Sequence, residues 1–320
     1  MNLNAKRRII IDTDLSLGEL AKDVDDGLAL IMALNSPRLD ILAVSGVYGN
    51  TSLTKVIQNL HTLKQLYLPF RPFPEILTGA SSKKDFTNNP KIPGIAQMAD
   101  IIATDSQQIT LVAIGPLTNI ALLFQRYPEI IRQIDELVIM GGKINGWEFN
   151  FANDPAATDF VLQTPIKKII CGLEVCTAQK FTSTHYNRLR CGKYPLQNYL
   201  LHGIRNWLAL NRCATVPLSK GGFFPFDPTA IAYILEPTLF QTVLIPARHV
   251  NPIKKPQITP PLLFPGWKTY IDPNQWQNRN KIKTKKMNAW SNWALKIDSE
   301  RFMELLLTHL MNHFQNPAAS

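Results

Sequence analysis

The chain has 320 residues, 45% of them apolar, and a formal net charge of +10 at pH 7. That size and composition exclude a disordered chain, and no apolar run approaches the roughly 20 residues that cross a bilayer. Four cysteines without CxxC spacing exclude a disulfide framework or a cysteine-rich zinc site, so a reducing cytoplasm is the expected location.

The opening MNLNAKRRIII is basic, but its apolar run ends at Asp12, too early for a secretory signal. Strand Arg8–Asp12 leads into DTD, and LSLGELAKDV follows before helix Asp25–Leu34 begins with two aspartates. Strand Ile41–Val47 is followed by YGN and helix Leu53–Leu68. Strand Ile109–Ile114 runs into GPLTN and helix Leu117–Arg126, and strand Leu137–Met140 into GGK. Helix Pro155–Leu162, strand Ile166–Cys171 and helix Leu196–Asn211 come next. FDP then opens helix Pro228–Leu235, and strand Leu239–Ile245 follows.

The proline-rich segment from Pro246 to Lys286 shows little periodicity and carries much of the basic excess. No RNA- or DNA-binding signature accompanies it, so it reads as a solvated insertion without a nucleic-acid partner. Strand Ala289–Ile297, whose alternation suggests a more exposed position, and helix Ser299–Phe314 close the chain.

Strand-then-helix repetition with continuously apolar strands predicts an α/β fold, a single Rossmann-related domain with a mostly parallel sheet flanked by helices. Ligands of such sheets sit outside the carboxyl ends of the strands, where DTD, VYGN, GPLTN and MGGK converge.

Five aspartates, Asp12, Asp14, Asp23, Asp25 and Asp26, fall within fifteen residues. Helix capping explains any one of them. As a set in a partly buried turn they repel one another and resist desolvation, which favours a bound hard cation, Ca²⁺ or Mg²⁺. Asp227 before Pro228 reads equally as a helix cap or as a further ligand from a distant corner.

Seven stretches in order (IIIDTD with its DD, GVYGN, IGPLTNIA, VIMGG, EFNFANDPAA, FDPTAIAY and ALKIDSERFMELLL) resemble the inosine-uridine preferring nucleoside hydrolases. The resemblance covers nearly the whole length. It implies a nucleoside hydrolase-like fold, a nucleoside substrate cleaved to base and ribose, and a homo-oligomer; the lack of an apolar span predicts no membrane partner. It also implies one Ca²⁺ held by Asp14, Asp26 and Asp227 with the backbone carbonyl of Thr118. Asp14 would double as the base that deprotonates the attacking water. Asp25 and Asn50 would grip the ribose face, Glu148, Asn150 and Asp227 the ribose hydroxyls, and Met140 would line the pocket.

Two departures stand out. LSLGELAKDV replaces a short turn; it is expected to loop out to the surface, the alternative being that Glu19 or Asp23 joins the site. Phe226 stands where purine-processing members carry a histidine, and a phenyl ring can stack on a base or wall the pocket but cannot protonate it. Trp207 and Arg212 read as a packed aromatic and a surface arginine, His309 and His313 as a solvated helix end, and Cys176 as a packed thiol. Two other readings remain: a Mg²⁺-dependent aspartyl phosphatase using Asp12 as nucleophile, and a non-catalytic riboside-binding protein.

Overall fold

The computed structural model describes residues 6–67, 72–190, 194–210, 221–250, 268–271 and 290–315. The first half alternates strands and helices: β1 Arg7–Thr13, α1 Asp25–Leu34, β2 Leu39–Gly46, α2 Leu53–Tyr67, β3 Glu75–Thr78, α3 Lys84–Asn88 and α4 Pro93–Thr104. β4 Ile109–Ala113, α5 Thr118–Arg126 and β5 Ile134–Met140 continue the pattern, followed by α6 Phe149–Asn153, α7 Pro155–Gln163 and β6 Lys168–Cys171. Three helices come next, α8 Leu173–Cys176, α9 Ser183–Leu189 and α10 Pro195–Leu210, before α11 Pro228–Leu235. β7 Phe240–Val250, β8 Lys268–Ile271, β9 Trp290–Ile297 and α12 Ser299–Gln315 complete the order.

Among the described residues, nine strands form a sheet in the order β3-β2-β1-β4-β5-β6-β9-β7-β8. Seven of them, β3 to β9 in that spatial order, run parallel, and β7 and β8 are antiparallel to their neighbours. β1 shows why both faces are covered. Ile9 and Ile11 enter the core shared with α1, α2, α10, α11 and α12, while Ile10 faces the opposite core against α4, α5 and α7. Side chains alternate across a strand, so a continuously apolar run requires helices on both sides.

Chain order reverses between β1 and β4. β2 and β3 lie outward on one side, and β5 and β6 on the other. A doubly wound sheet opens its ligand crevice at such a reversal, beyond the carboxyl ends of the strands. The backbone is stitched there: Ile114 N donates to Asp12 O at 2.9 Å and Val47 N to Thr13 O at 2.9 Å.

Two expectations need correction. β9 is not an exposed strand: it lies between β6 and β7, with Ser291, Trp293 and Ala294 buried. The segment from Pro246 is not wholly irregular, because β7 continues to Val250 and pairs antiparallel with β8, Ala247 opposite Ile271. Pro246 falls just before that pairing begins, so its missing N–H costs no β7–β8 bond. The rest of the basic stretch lies outside the described residues. No helix among them is long and apolar enough to cross a membrane.

Candidate active site

Beyond the carboxyl ends of β1, β2, β4 and β5 lies a cavity of about 450 Å³. Its acidic lining is Asp23, Asp25, Glu148 and Asp227. Asp14 and Asp26 are fully buried, and Asp25 and Asp227 nearly so. Carboxylate oxygens of Asp25, Asp26 and Asp227 lie within 4.8 Å of one another. α1 brings its first-turn pair, and the head of α11 brings Asp227 from the far end of the chain.

Asp14 stands against this trio. Its Oδ2 accepts the Asn50 backbone N–H at 2.6 Å, whereas its buried Oδ1 has no hydrogen-bond partner. Asp26 accepts the Thr13 hydroxyl on one oxygen and the Asn50 amide, at 3.0 Å, on the other. The fit around Asp14 explains a glycine in GVYGN. A Cβ on Gly49 would lie 2.0 Å from Asp14 Oδ2, so any larger residue would displace the carboxylate.

Burial raises all of these acids, and their mutual repulsion adds to it. Desolvation pushes Asp14, Asp25 and Asp227 well above the ordinary carboxylate range, with Asp26 a contributor for each. Asp26 itself is pushed up to about 7, chiefly by desolvation, against the hydrogen bonds from Thr13 and Asn50. Oxygen-only donors, a free buried oxygen on Asp14 and uncompensated negative charge fit a hard divalent cation.

Of the expected cation-holding residues, Asp227 lines the cavity, while Asp14, Asp26 and Thr118 are buried outside its lining. Asp25, expected on the ribose, lines the cavity and also belongs to the oxygen cluster with Asp26 and Asp227. The Thr118 hydroxyl donates to Asp154 Oδ2 at 2.7 Å; the role expected of Thr118 falls on its carbonyl.

Asp12 does not line the cavity. It is buried, its Oδ1 accepts from Asn119 Nδ2 at 2.7 Å, and its Oδ2 has no hydrogen-bond partner. Asn119 also bonds Ser45 Oγ and Gly46 O, and accepts from Ala80 N at 2.7 Å. It thereby ties together the strand ends that carry the site.

The sugar-side and wall residues converge on the cavity. Asn50, Met140, Glu148, Asn150 and Phe226 all line it. Glu148 is also the N-cap of α6, accepting N–H groups from Gly142 (2.8 Å), Asn150 (2.8 Å) and Phe151 (3.0 Å). The Asn150 amide donates to the carbonyls of Ile114 and Met140, each at 3.2 Å. These bonds lock its orientation between β4 and β5.

The inserted segment 15–24 does not loop out. Leu15 and Leu17 are fully buried, and Leu17 packs so closely that a Cβ on Gly27 or Gly203 would lie 2.5 or 2.6 Å from it. Tyr199 Oη donates to Leu17 O at 2.6 Å, and Asn59 Nδ2 to Leu15 O at 3.0 Å. Leu20, 67% exposed, marks the part that does reach solvent. The apolar anchors pull the loop back, so Lys22 and Asp23 line the cavity. Lys22 Nζ donates to Asn50 O at 2.7 Å. Glu19 is instead bound by Thr51 and Asn59, away from the lining.

Trp147 and Phe149, 38% and 39% exposed, line the cavity beside Trp207. The first two were missed in the sequence, although GWEF places exposed aromatics on both sides of Glu148. Arg212 lies outside the described residues. His309 is buried rather than solvated, with Nδ1 2.9 Å from Leu305 O. Cys176 is packed as expected, its Sγ 3.1 Å from Thr229 Oγ1.

The sequence profile of the inosine-uridine preferring nucleoside hydrolases matches residues 9–304. The non-specific ribonucleoside hydrolase RihC of Salmonella paratyphi A is 31% identical over 268 residues, 74% of this chain and 82% of its own. The pyrimidine-specific ribonucleoside hydrolase RihA of Salmonella enteritidis is 29% identical over 251 residues, 68% of this chain and 78% of its own. In fold, the purine-preferring ribonucleoside hydrolase of Gardnerella vaginalis superposes with a TM-score of 0.75 at 22% identity, covering 97% of this chain and 99% of its own. The match from the first strand to the last helix, on a sheet whose crevice gathers these carboxylates, makes this chain a member of the inosine-uridine preferring nucleoside hydrolase family, an enzyme that hydrolyses N-glycosyl compounds.

Proposed function

We propose that the enzyme cleaves the N-glycosidic bond of a ribonucleoside or modified ribonucleoside, with Ca²⁺ at the carboxylate cluster, and releases free base and ribose. The observation that carries this reading is the convergence of Asp25, Asp26 and Asp227 within 4.8 Å beside a cavity of nucleoside size. Asp14, Asp26 and Asp227, with Asp25 at contact distance, would hold the cation; the Thr118 carbonyl completes the proposed set. When bound, the cation supplies Lewis acidity and a fixed seat for the sugar diol.

The chain's own groups do the rest. Asp14 Oδ1 is the unpartnered base of the cluster and takes the proton of the attacking water. Asn50, held by its bonds to Asp14 and Asp26, presents its remaining polar capacity to the ribose with Asp25. Glu148 and Asn150, fixed by their backbone bonds, hold the other ribose hydroxyls. Positive charge develops on the sugar as the bond breaks, and preorganised carboxylates in a desolvated cleft stabilise it. Met140 and Phe226 wall the base side. Two buried free thiols, Cys171 and Cys176, suit a cytosolic enzyme.

The test is ribose release from purine, pyrimidine and modified nucleosides, with Ca²⁺ and with chelator. Turnover that chelator abolishes and Ca²⁺ restores is the expected result. Tight Ca²⁺-dependent riboside binding without any turnover would replace the hydrolase reading with a binding one.

A further inference from the structure

A second concavity, of about 280 Å³, shares no lining residue with the active cavity. Arg190, Asn198, Leu201, His202 and Arg205 line it. Asn198, Leu201, His202 and Arg205 follow one another along α10 at the spacing that puts side chains on one helix face. Leu196, Leu200 and Ile204 of the same helix are buried in the core, so the polar stripe is turned to solvent, with Asn198, His202 and Arg205 exposed. Arg190, the C-cap residue of α9, joins the stripe from a second element and is exposed as well.

The charge of this concavity is not balanced from within. On α9, Arg188 makes a forked pair with Glu304, whereas Arg190 and Arg205 meet no carboxylate among the described residues. Outside those residues the chain has one further acid, Asp272. The Arg205 guanidinium lies over the Tyr186 ring, 5.7 Å from its centroid, a contact that restrains the side chain and uses none of its N–H donors.

Two guanidiniums bordering one small concavity repel each other and concentrate counter-ions there. A carboxylate is satisfied by a single guanidinium fork. A tetrahedral phosphate dianion offers oxygens to two forks, an imidazole and an amide at once. The volume lies below the roughly 300–1,000 Å³ of sites for drug-sized ligands, which suits a phosphate with a small substituent rather than a nucleotide. We propose that Arg190, Asn198, His202 and Arg205 form a binding site for a phosphate dianion, as inorganic phosphate or as the phosphate of a small sugar monoester.

The site goes beyond the hydrolase reading and does not depend on it. α10 is nevertheless common to both places: it sends Trp207 to the lining of the active cavity and Tyr199 to Leu17 O at 2.6 Å. Leu201, partly buried against the core, gives a sugar substituent an apolar contact beside the charged groups.

The test is calorimetric titration of the full chain with stoichiometric Ca²⁺, in Tris at about pH 7.5, where a phosphomonoester is close to a dianion. Inorganic phosphate, ribose 5-phosphate and acetate are the probes. Saturable binding of a phosphate probe is expected, with Kd of about 1 mM or tighter and acetate at least about tenfold weaker. Arg190→Gln and Arg205→Gln should each weaken phosphate binding at least about tenfold. Both side chains are exposed, so the thermal midpoint without probe should stay within about 2 °C. Should Arg205→Gln fail to fold, Arg190→Gln carries the test by itself. Ribose 5-phosphate binding tighter than phosphate by about tenfold or more makes a sugar phosphate the ligand, and a smaller difference makes it phosphate itself. No saturable phosphate binding, binding that neither variant weakens, or acetate binding as tight as phosphate would each overturn the site. An unphosphorylated oligonucleotide that binds through Arg190 and Arg205 when neither phosphate probe does would overturn it in favour of a nucleic-acid surface.

Discussion

Asp26→Asn separates the cost of the acidic cluster from its use. In the wild type, burial pushes the Asp26 carboxyl from an ordinary 3.8 up to about 7. At about 1.4 kcal/mol per pH unit, that is about 4 kcal/mol of folding stability. The sign follows from the folded value lying above the unfolded one. The contribution is intact below pH 4 and is lost as pH rises through about 7, where the unfolded chain ionises more readily than the folded one.

Asparagine removes the ionisable group and with it this loss. It also creates a mismatch, because both Asp26 oxygens accept, one from the Thr13 hydroxyl and the other from the Asn50 amide at 3.0 Å, and an NH₂ in place of either cannot. That mismatch costs about 1–2 kcal/mol. In chelator at pH 7.5 the variant should therefore be more stable than wild type by about 2–3 kcal/mol, the difference between those two values. The thermal midpoint should rise by roughly 4–10 °C, with the gap closing at pH 5.

Added Ca²⁺ should reverse the order at a thousandfold excess over Kd, because it then stabilises the wild type by about 4.1 kcal/mol and the variant far less. Scanning calorimetry at both pH values, with EDTA and with Ca²⁺, makes the measurement. A variant equally destabilised in EDTA and in Ca²⁺ would refute the account of Asp26 as a strained cation ligand.

Four further outcomes are expected. Asp14→Asn should lower kcat at least about 100-fold, measured as ribose release, while the thermal midpoint in chelator is maintained or rises. Gly49→Ala, whose Cβ would sit 2.0 Å from Asp14 Oδ2 and 2.9 Å from Pro116 Cδ, should break the Asn50–Asp14 bond and cost activity by a similar factor, read by the same assay. Leu17→Ala should cost about 2–5 kcal/mol on urea unfolding and raise KM, because Leu17 anchors the segment that brings Lys22 and Asp23 to the cavity. Arg7→Met should cost roughly 2–4 kcal/mol in the same unfolding assay, because the buried Glu136 would keep only its 2.7 Å bond to Lys167.

Much of the sheet was legible in the sequence because a strand covered on both faces must be apolar at every position. β1, β4 and β6 announce themselves as such runs, each followed by a polar or glycine-containing turn. The aspartates were legible for the opposite reason: clustered like charges beside buried strands have few explanations other than a cation. β3, only four residues long, carries no period to read. β8 follows a stretch whose prolines conceal that β7 continues to Val250. In both cases the strand is defined by its neighbour's hydrogen bonds rather than by its own side chains.

The sequence by itself determined the fold class and named seven of the fifteen described residues that line the cavity. Only the tertiary structure decided how they are grouped. It put Asp25 in the oxygen cluster beside Asp227, some two hundred positions away, and turned Asp12 into a strand-end tie through Asn119. It also drew the segment 15–24 inward, because Leu17 finds the clefts left by Gly27 and Gly203. Such contacts join positions distant along the chain, and a local pattern of hydrophobicity or charge carries no record of which distant surface will be complementary to it.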